Sequence, residues 1–105
     1  MVRHRFHTTV ALGHMNEALE WVRDMNEVSA KRGRPQGRAM MPGYGTVNKL
    51  IFETEYTDQA AMAAAQSAFF EDAEAMKVFR RGVELVAPGS HPWDELEVSA
   101  PDQLA

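Results

Sequence analysis

His7, set in an alternating run with Arg3 and Arg5, belongs to the best polar grouping for chemistry in the sequence. A histidine held near a carboxylate can take up and release a proton near neutral pH. Glu53 and Glu55, alternating along a later β-forming segment, are the carboxylates a sheet would bring beside His7 and Arg5. The same grouping also reads as cross-strand charge pairing, which needs no substrate. Ion-pair networks and acid–base sites look alike at this level, so both readings stand. A second group is apolar. Trp21, Phe6, Phe52, Phe69, Phe79 and the methionines can line an adaptable pocket for an aromatic molecule, or can simply fill a core.

Other chemistries lack their residues. There is no cysteine, hence no thiolate nucleophile, disulfide or Cys-ligated metal. His4 and His7 are an odd number of positions apart, point to opposite faces of one strand and cannot share an ion. His14 and His91 fall in expected loops, so no metal site is expected. Gly43-Tyr44-Gly45 lacks the following lysine and helix of a phosphate loop. None of Ser29, Ser67, Ser90 and Ser99 sits in the glycine context of a nucleophile elbow. No cofactor is implied.

These side chains must be positioned by short regular elements. Val2 to Leu12 alternates as a strand, with Val2, His4, Phe6, Thr8, Val10 and Leu12 on one face and Arg3, Arg5, His7 and Thr9 on the other. From Met15 the period becomes helical: Met15, Ala18, Leu19, Val22, Met25 and Val28 form a stripe edged by Trp21. Glu17 and Glu20 near its start and Lys31 and Arg32 at its end suit the helix dipole, while Gly33 and Pro35 end it. Gln36 to Met41 reads as a short edge strand closed by Pro42, and Pro42 to Gly45 as a turn. Thr46 to Tyr56 is a long strand, with Leu50, Phe52 and Tyr56 on one face and Lys49, Glu53 and Glu55 on the other, Val47 and Ile51 among the charges. Asp58 caps a helix through Phe70 that turns Met62, Ala65 and Phe69 inward. A further helix from Glu71-Asp72 carries Met76, Phe79, Val83 and Val86 on one face until Pro88-Gly89. Trp93 to Ala100 closes as a strand, with Leu96 and Val98 opposite Glu95, Glu97 and Ser99. Residues 1–100 thus read as one domain, and 101–105 as a loose tail.

Bulk composition agrees. The 105 residues, 45% hydrophobic and 25% charged, make one ordinary globular domain. A net charge of −4 and a single short basic run, Lys31 to Arg34, argue against nucleic acid. No apolar run approaches a membrane span, and the N-terminal residues lack a signal-peptide core, so a cytoplasmic location is the expectation.

Strands with one apolar and one charged face assemble most simply as an antiparallel sheet covered on one side by helices. The βαββαβ order makes this an α+β, ferredoxin-like fold with a four-stranded sheet. Phe6, Val10, Leu50, Phe52, Leu96 and Val98 are expected to meet Leu19, Val22, Met25, Phe69, Phe79 and Val83. The bare charged face then asks for a second layer, which an identical subunit supplies: a homodimer is the expected partner.

Three segments resemble the dimeric α+β barrel superfamily, its NIPSNAP-type branch above all. Gly45-Thr46-Val47-Asn48 with Lys49 to Tyr56 is similar to that family's glycine-x-x-asparagine turn and strand ending in an acidic-tyrosine pair. Asp72 to Val86, with Met76, Phe79 and Val83, resembles its final helix, and Trp93 to Ser99 its last strand. The resemblance implies a dimeric α+β barrel, in which relatives hold aromatic ligands between sheet and helices. Some relatives are cofactor-free monooxygenases of antibiotic biosynthesis, using an asparagine, a tryptophan and a tyrosine. Asn48, Trp21 and Tyr44 or Tyr56 imitate that set without matching its positions. Haem-degrading relatives call for an asparagine on the first strand and a histidine on the later helix, and both are missing here. The ligand-binding candidates are therefore Arg5, His7, Trp21, Asn48, Glu53 and Tyr56. Two functions remain open: binding a small apolar or aromatic molecule, with cofactor-independent oxygenation or isomerisation of it, or a non-catalytic domain whose sheet face serves only assembly.

Overall fold

The computed structural model describes residues 1–43, 45 and 47–99. Tyr44, Thr46, Ala100 and the 101–105 tail lie outside the described residues. The strands are β1 (Val2–Thr9), β2 (Gly37–Met40), β3 (Lys49–Tyr56) and β4 (Trp93–Val98). The helices are α1 (Met15–Lys31), α2 (Gln59–Glu71) and α3 (Ala73–Arg81), the last running into a 3-10 turn, Gly82–Leu85. The strands form one antiparallel sheet in the order β2-β3-β1-β4, the expected ferredoxin-like arrangement, with β2 at an edge. No described helix is long and apolar enough to cross a membrane.

Local chemistry explains the boundaries. α1 stops where Gly33 takes φ +67°, the left-handed geometry glycine adopts at little cost. Asp58 accepts a hydrogen bond from the Ala61 amide at the start of α2. Asp72 is extended, so it ends α2, and its carboxylate caps α3 through the Ala75 amide at 3.1 Å.

The buried core is α1 pressed on the centre of the sheet: Val10, Ala18, Trp21, Val22, Met25 and Leu50. Phe6, Phe52, Phe69 and Phe79 pack around it, partly buried. By contrast α2 has no buried residue, and α3 buries Ala75 alone. These two helices stand off the sheet, and that separation makes room for a cavity.

Four expected core or strand residues lie elsewhere. Leu12 is exposed because the chain leaves the sheet in a turn at Ala11, whose carbonyl accepts from the His14 amide. Val47 is exposed because β3 starts only after Asn48, which sits at φ +61°. Val83 is exposed because the backbone tightens to 3-10 geometry at Gly82, which turns the helical stripe away. Leu96 is about half exposed at the rim of the cavity.

Candidate functional site

Between the sheet and the helices lies a cavity of about 470 Å³, within the size range of small-molecule sites. Its roof is mostly apolar, with Trp21 and Met25 from α1, Met62 and Phe69 from α2 and Phe79 from α3, and Ser29 and Gln66 as its polar members. Its floor is the helix-facing side of the sheet, where Phe6 and Phe52 alternate with His4, Thr54, Tyr56 and Asp94. Phe70 and Leu96, both exposed, also border it, as does Arg34.

The walls are braced. The Trp21 indole N–H donates to the Val78 carbonyl at 2.9 Å, which ties α1 to α3. Trp21 meets Phe52 edge-on at 6.2 Å and Phe79 at 6.4 Å, and Phe69 meets Phe79 at 5.8 Å. Arg34 donates to Asp72 at 2.8 Å, which joins the segment after α1 to the α2–α3 corner. That bond, with the Ala75 amide, holds the Asp72 carboxyl down at about 2. Asn26 on α1 clasps Gly37 with both ends of its side-chain amide, donating to the Gly37 carbonyl at 2.7 Å and accepting from the Gly37 N–H at 2.9 Å, and so fastens the edge strand to the helix.

Two polar features face this apolar space. His4 Nε2 lies 2.8 Å from Asp94 Oδ1, diagonally across β1 and β4. Tyr56 is half-buried, and burial pushes its phenol up, partly offset by a hydrogen bond with Thr54.

The other side of the sheet is a lattice of charges. Arg3 reaches Glu55 and Glu97, Arg5 reaches Glu53, Glu95 and Glu97, and Arg38 reaches Glu53 and Glu55. Glu53 is only 3% exposed. Burial alone would raise its carboxyl, but hydrogen bonds from Arg38 and Arg5 outweigh that and leave it below the usual carboxylate range. His7 is buried, with Nε2 2.7 Å from Glu95 Oε1. That bond, opposed by desolvation, leaves the Glu95 carboxyl lowered. The His7 ring stacks on Trp93, centroids 3.7 Å apart and planes 5° apart, with Lys49 Nζ 5.4 Å from the Trp93 ring. His7 Nδ1 is buried without a hydrogen-bond partner among the described residues.

The sequence candidates therefore fall on two surfaces. Trp21 and Tyr56 line the cavity. Arg5, His7 and Glu53 lie together on the opposite sheet face, with Glu95 rather than Glu53 or Glu55 as the partner of His7. Asn48 joins neither group: it occupies the turn before β3, where its carbonyl accepts from the Val10 amide. Sequence reasoning missed His4 and Asp94 as a pair. The signal was present, since His4 interrupts the apolar face of β1, but its diagonal partner depends on a register that sequence does not supply.

No protein-family model matches this sequence, and no curated protein matches it. Solved structures do match its shape. An uncharacterised NIPSNAP domain protein from Burkholderia xenovorans superposes with a TM-score of 0.76 at 20% identity, covering 95% of each chain. A NIPSNAP family protein from Agrobacterium tumefaciens gives 0.73 at 15% identity, over 94% of this chain and 92% of that one. A Nitrosomonas europaea protein proposed to be an antibiotic biosynthesis monooxygenase gives 0.70 at 11% identity, over 95% and 99%. The chain thus has the α+β fold shared by NIPSNAP-type and antibiotic biosynthesis monooxygenase-type structures.

Proposed function

We propose that this protein is a homodimer that binds a small apolar or aromatic molecule between sheet and helices, and acts on it by cofactor-independent oxygenation or isomerisation. The observation that carries the reading is the cavity of about 470 Å³, walled by aromatic and methionine side chains and floored by a few polar ones. Apolar enclosure with sparse, placed polar groups is the usual make-up of a small-molecule site. The fold shared with the Nitrosomonas europaea protein supports the choice of reaction class. The charged sheet face supports the dimer: its cations and carboxylates are already paired within the chain, so covering it strands no bare charge. Trp93, half exposed on that face, offers apolar area to a second copy.

A thermal-shift screen with aromatic polyketide-like compounds, fatty acids and haem tests the binding, since a ligand of the folded state stabilises it by mass action. Aromatic compounds should raise Tm, and silence across the panel would refute the pocket reading. Light scattering should give twice the chain mass at micromolar concentration, and a monomer there would refute the dimer. A dimer that binds nothing would favour the second reading, a domain whose sheet face serves assembly alone.

A further inference from the structure

Resting on the pocket reading, we infer that His4 and Asp94 form an acid–base pair that takes the proton of a hydroxyl group on an aromatic ligand in the cavity. His4 stands on the cavity floor between Thr54 of β3 and Leu96 of β4. Its Nε2 is 2.8 Å from a carboxylate oxygen of Asp94, which also lines the cavity. A carboxylate only accepts, so Nε2 is the nitrogen that carries the proton. Nδ1 is then the ring's acceptor, and no described residue hydrogen-bonds to it. The arrangement is a base oriented by a third group, with its acceptor nitrogen uncommitted.

The cavity selects what that base meets. Trp21, Phe69 and Phe79 favour a flat aromatic body over the sheet, and the polar floor favours one hydroxylated edge. The step balances without any other reactant. The ligand's O–H bond breaks, its electron pair stays on oxygen as a phenolate, and the proton forms a new N–H bond at Nδ1. The resulting imidazolium is held by the Asp94 carboxylate and faces the phenolate. His7, the other histidine of β1, cannot serve here, because it lies on the opposite face beneath Trp93.

The test uses 4-nitro-1-naphthol, whose anion absorbs apart from its neutral form, with a rise in Tm as the separate measure of binding. A cation within a few ångströms makes an acid about tenfold to a thousandfold easier to ionise. Bound probe at a fixed mildly acidic pH should therefore show about a tenfold or greater rise in its anion-to-neutral ratio over free probe. His4→Gln should still bind the probe but remove the rise, and Asp94→Asn, on the exposed edge strand, should reduce it. Binding without any rise, or an undiminished rise in His4→Gln, overturns the proton transfer and leaves the pocket reading standing. Failure of the probe to raise Tm removes both.

Discussion

Gly37 lies so close beneath Phe52 that a Cβ at position 37 would stand 2.1 Å from Phe52 Cε2. The contact spans two paired strands, with Gly37 opposite Thr54 on β3. Phe52 can relieve the clash only by moving, and the space beside it is the cavity it lines. Gly37→Ala should therefore cost about 1–3 kcal/mol, the usual range for overpacking. It should also drive the ring into the cavity. The expected result is a lower Tm together with loss of the ligand-induced rise in Tm. A variant that loses stability but keeps the full ligand response would show that Phe52 escapes elsewhere.

His7 and Trp93 make a separate prediction, on the face away from the cavity. The near-parallel stack and the bond to Glu95 place His7 in a structural role within the chain. An aromatic pair contributes about 0.5–1.5 kcal/mol beyond simple burial. His7→Ala should lose that, whereas His7→Phe keeps a ring over Trp93 and removes the buried Nδ1 that has no partner. Chemical denaturation should rank His7→Phe well above His7→Ala and close to the wild type. If the imidazole itself were required, the two variants would fall together.

Glu53 sits between two guanidinium groups, 2.8 Å from Arg5 and 2.7 Å from Arg38. Removing its charge leaves both cations facing a neutral amide, and breaking a buried pair is far costlier than replacing it whole. Glu53→Gln should lower stability by about 2–3 kcal/mol. The carboxyl is held below its ordinary range, so its contribution is full above the unfolded value and is lost as pH falls through the lowered folded one. The deficit of Glu53→Gln against wild type should consequently shrink in acid, read as converging urea midpoints. A constant deficit across pH would place the effect in packing instead.

Periodicity made most of the fold legible, and register is where it stopped. The alternation of Arg3, Arg5 and His7 against Phe6 put the correct residues on each side of β1, and the faces of β3 followed in the same way. The partner of His7 did not, because Glu53, Glu55, Glu95 and Glu97 all lie on one face and only the strand offset distinguishes them. The same ignorance hid the His4–Asp94 pair. Val83 failed for another reason: helical spacing was extended through Gly82, where close packing is set by Trp21, 2.8 Å from where a Cβ would stand. A glycine chosen for a tertiary contact leaves no mark in a periodic pattern. The cavity was legible only as a list of large side chains, since the stand-off of α2 and α3 is a matter of tertiary geometry.

Asp72 offers a prediction about acid stability at the back of that cavity. Its carboxylate accepts from Arg34 at 2.8 Å, from Arg32 at 3.2 Å and from the Ala75 amide at 3.1 Å, so one group closes α3 and ties down the segment after α1. The hydrogen bond from Arg34 leads in lowering its carboxyl from 3.8 to about 2. A lowered folded value means that the unfolded chain binds the proton more readily. The stabilisation is therefore complete above 3.8 and is lost as pH falls through about 2. Asp72→Asn retains a side chain that can cap but gives up the charge that Arg34 and Arg32 hold. Its Tm in neutral buffer should lie roughly 5 °C below wild type, as for other lost caps and paired groups in domains of this size. Thermal melts stepped down in pH should bring the two curves together as Asp72 in the wild type protonates. A gap that stays open at the acid end would mean the amide disturbs the α2–α3 corner by shape, and the charge of Asp72 would then not be what holds it.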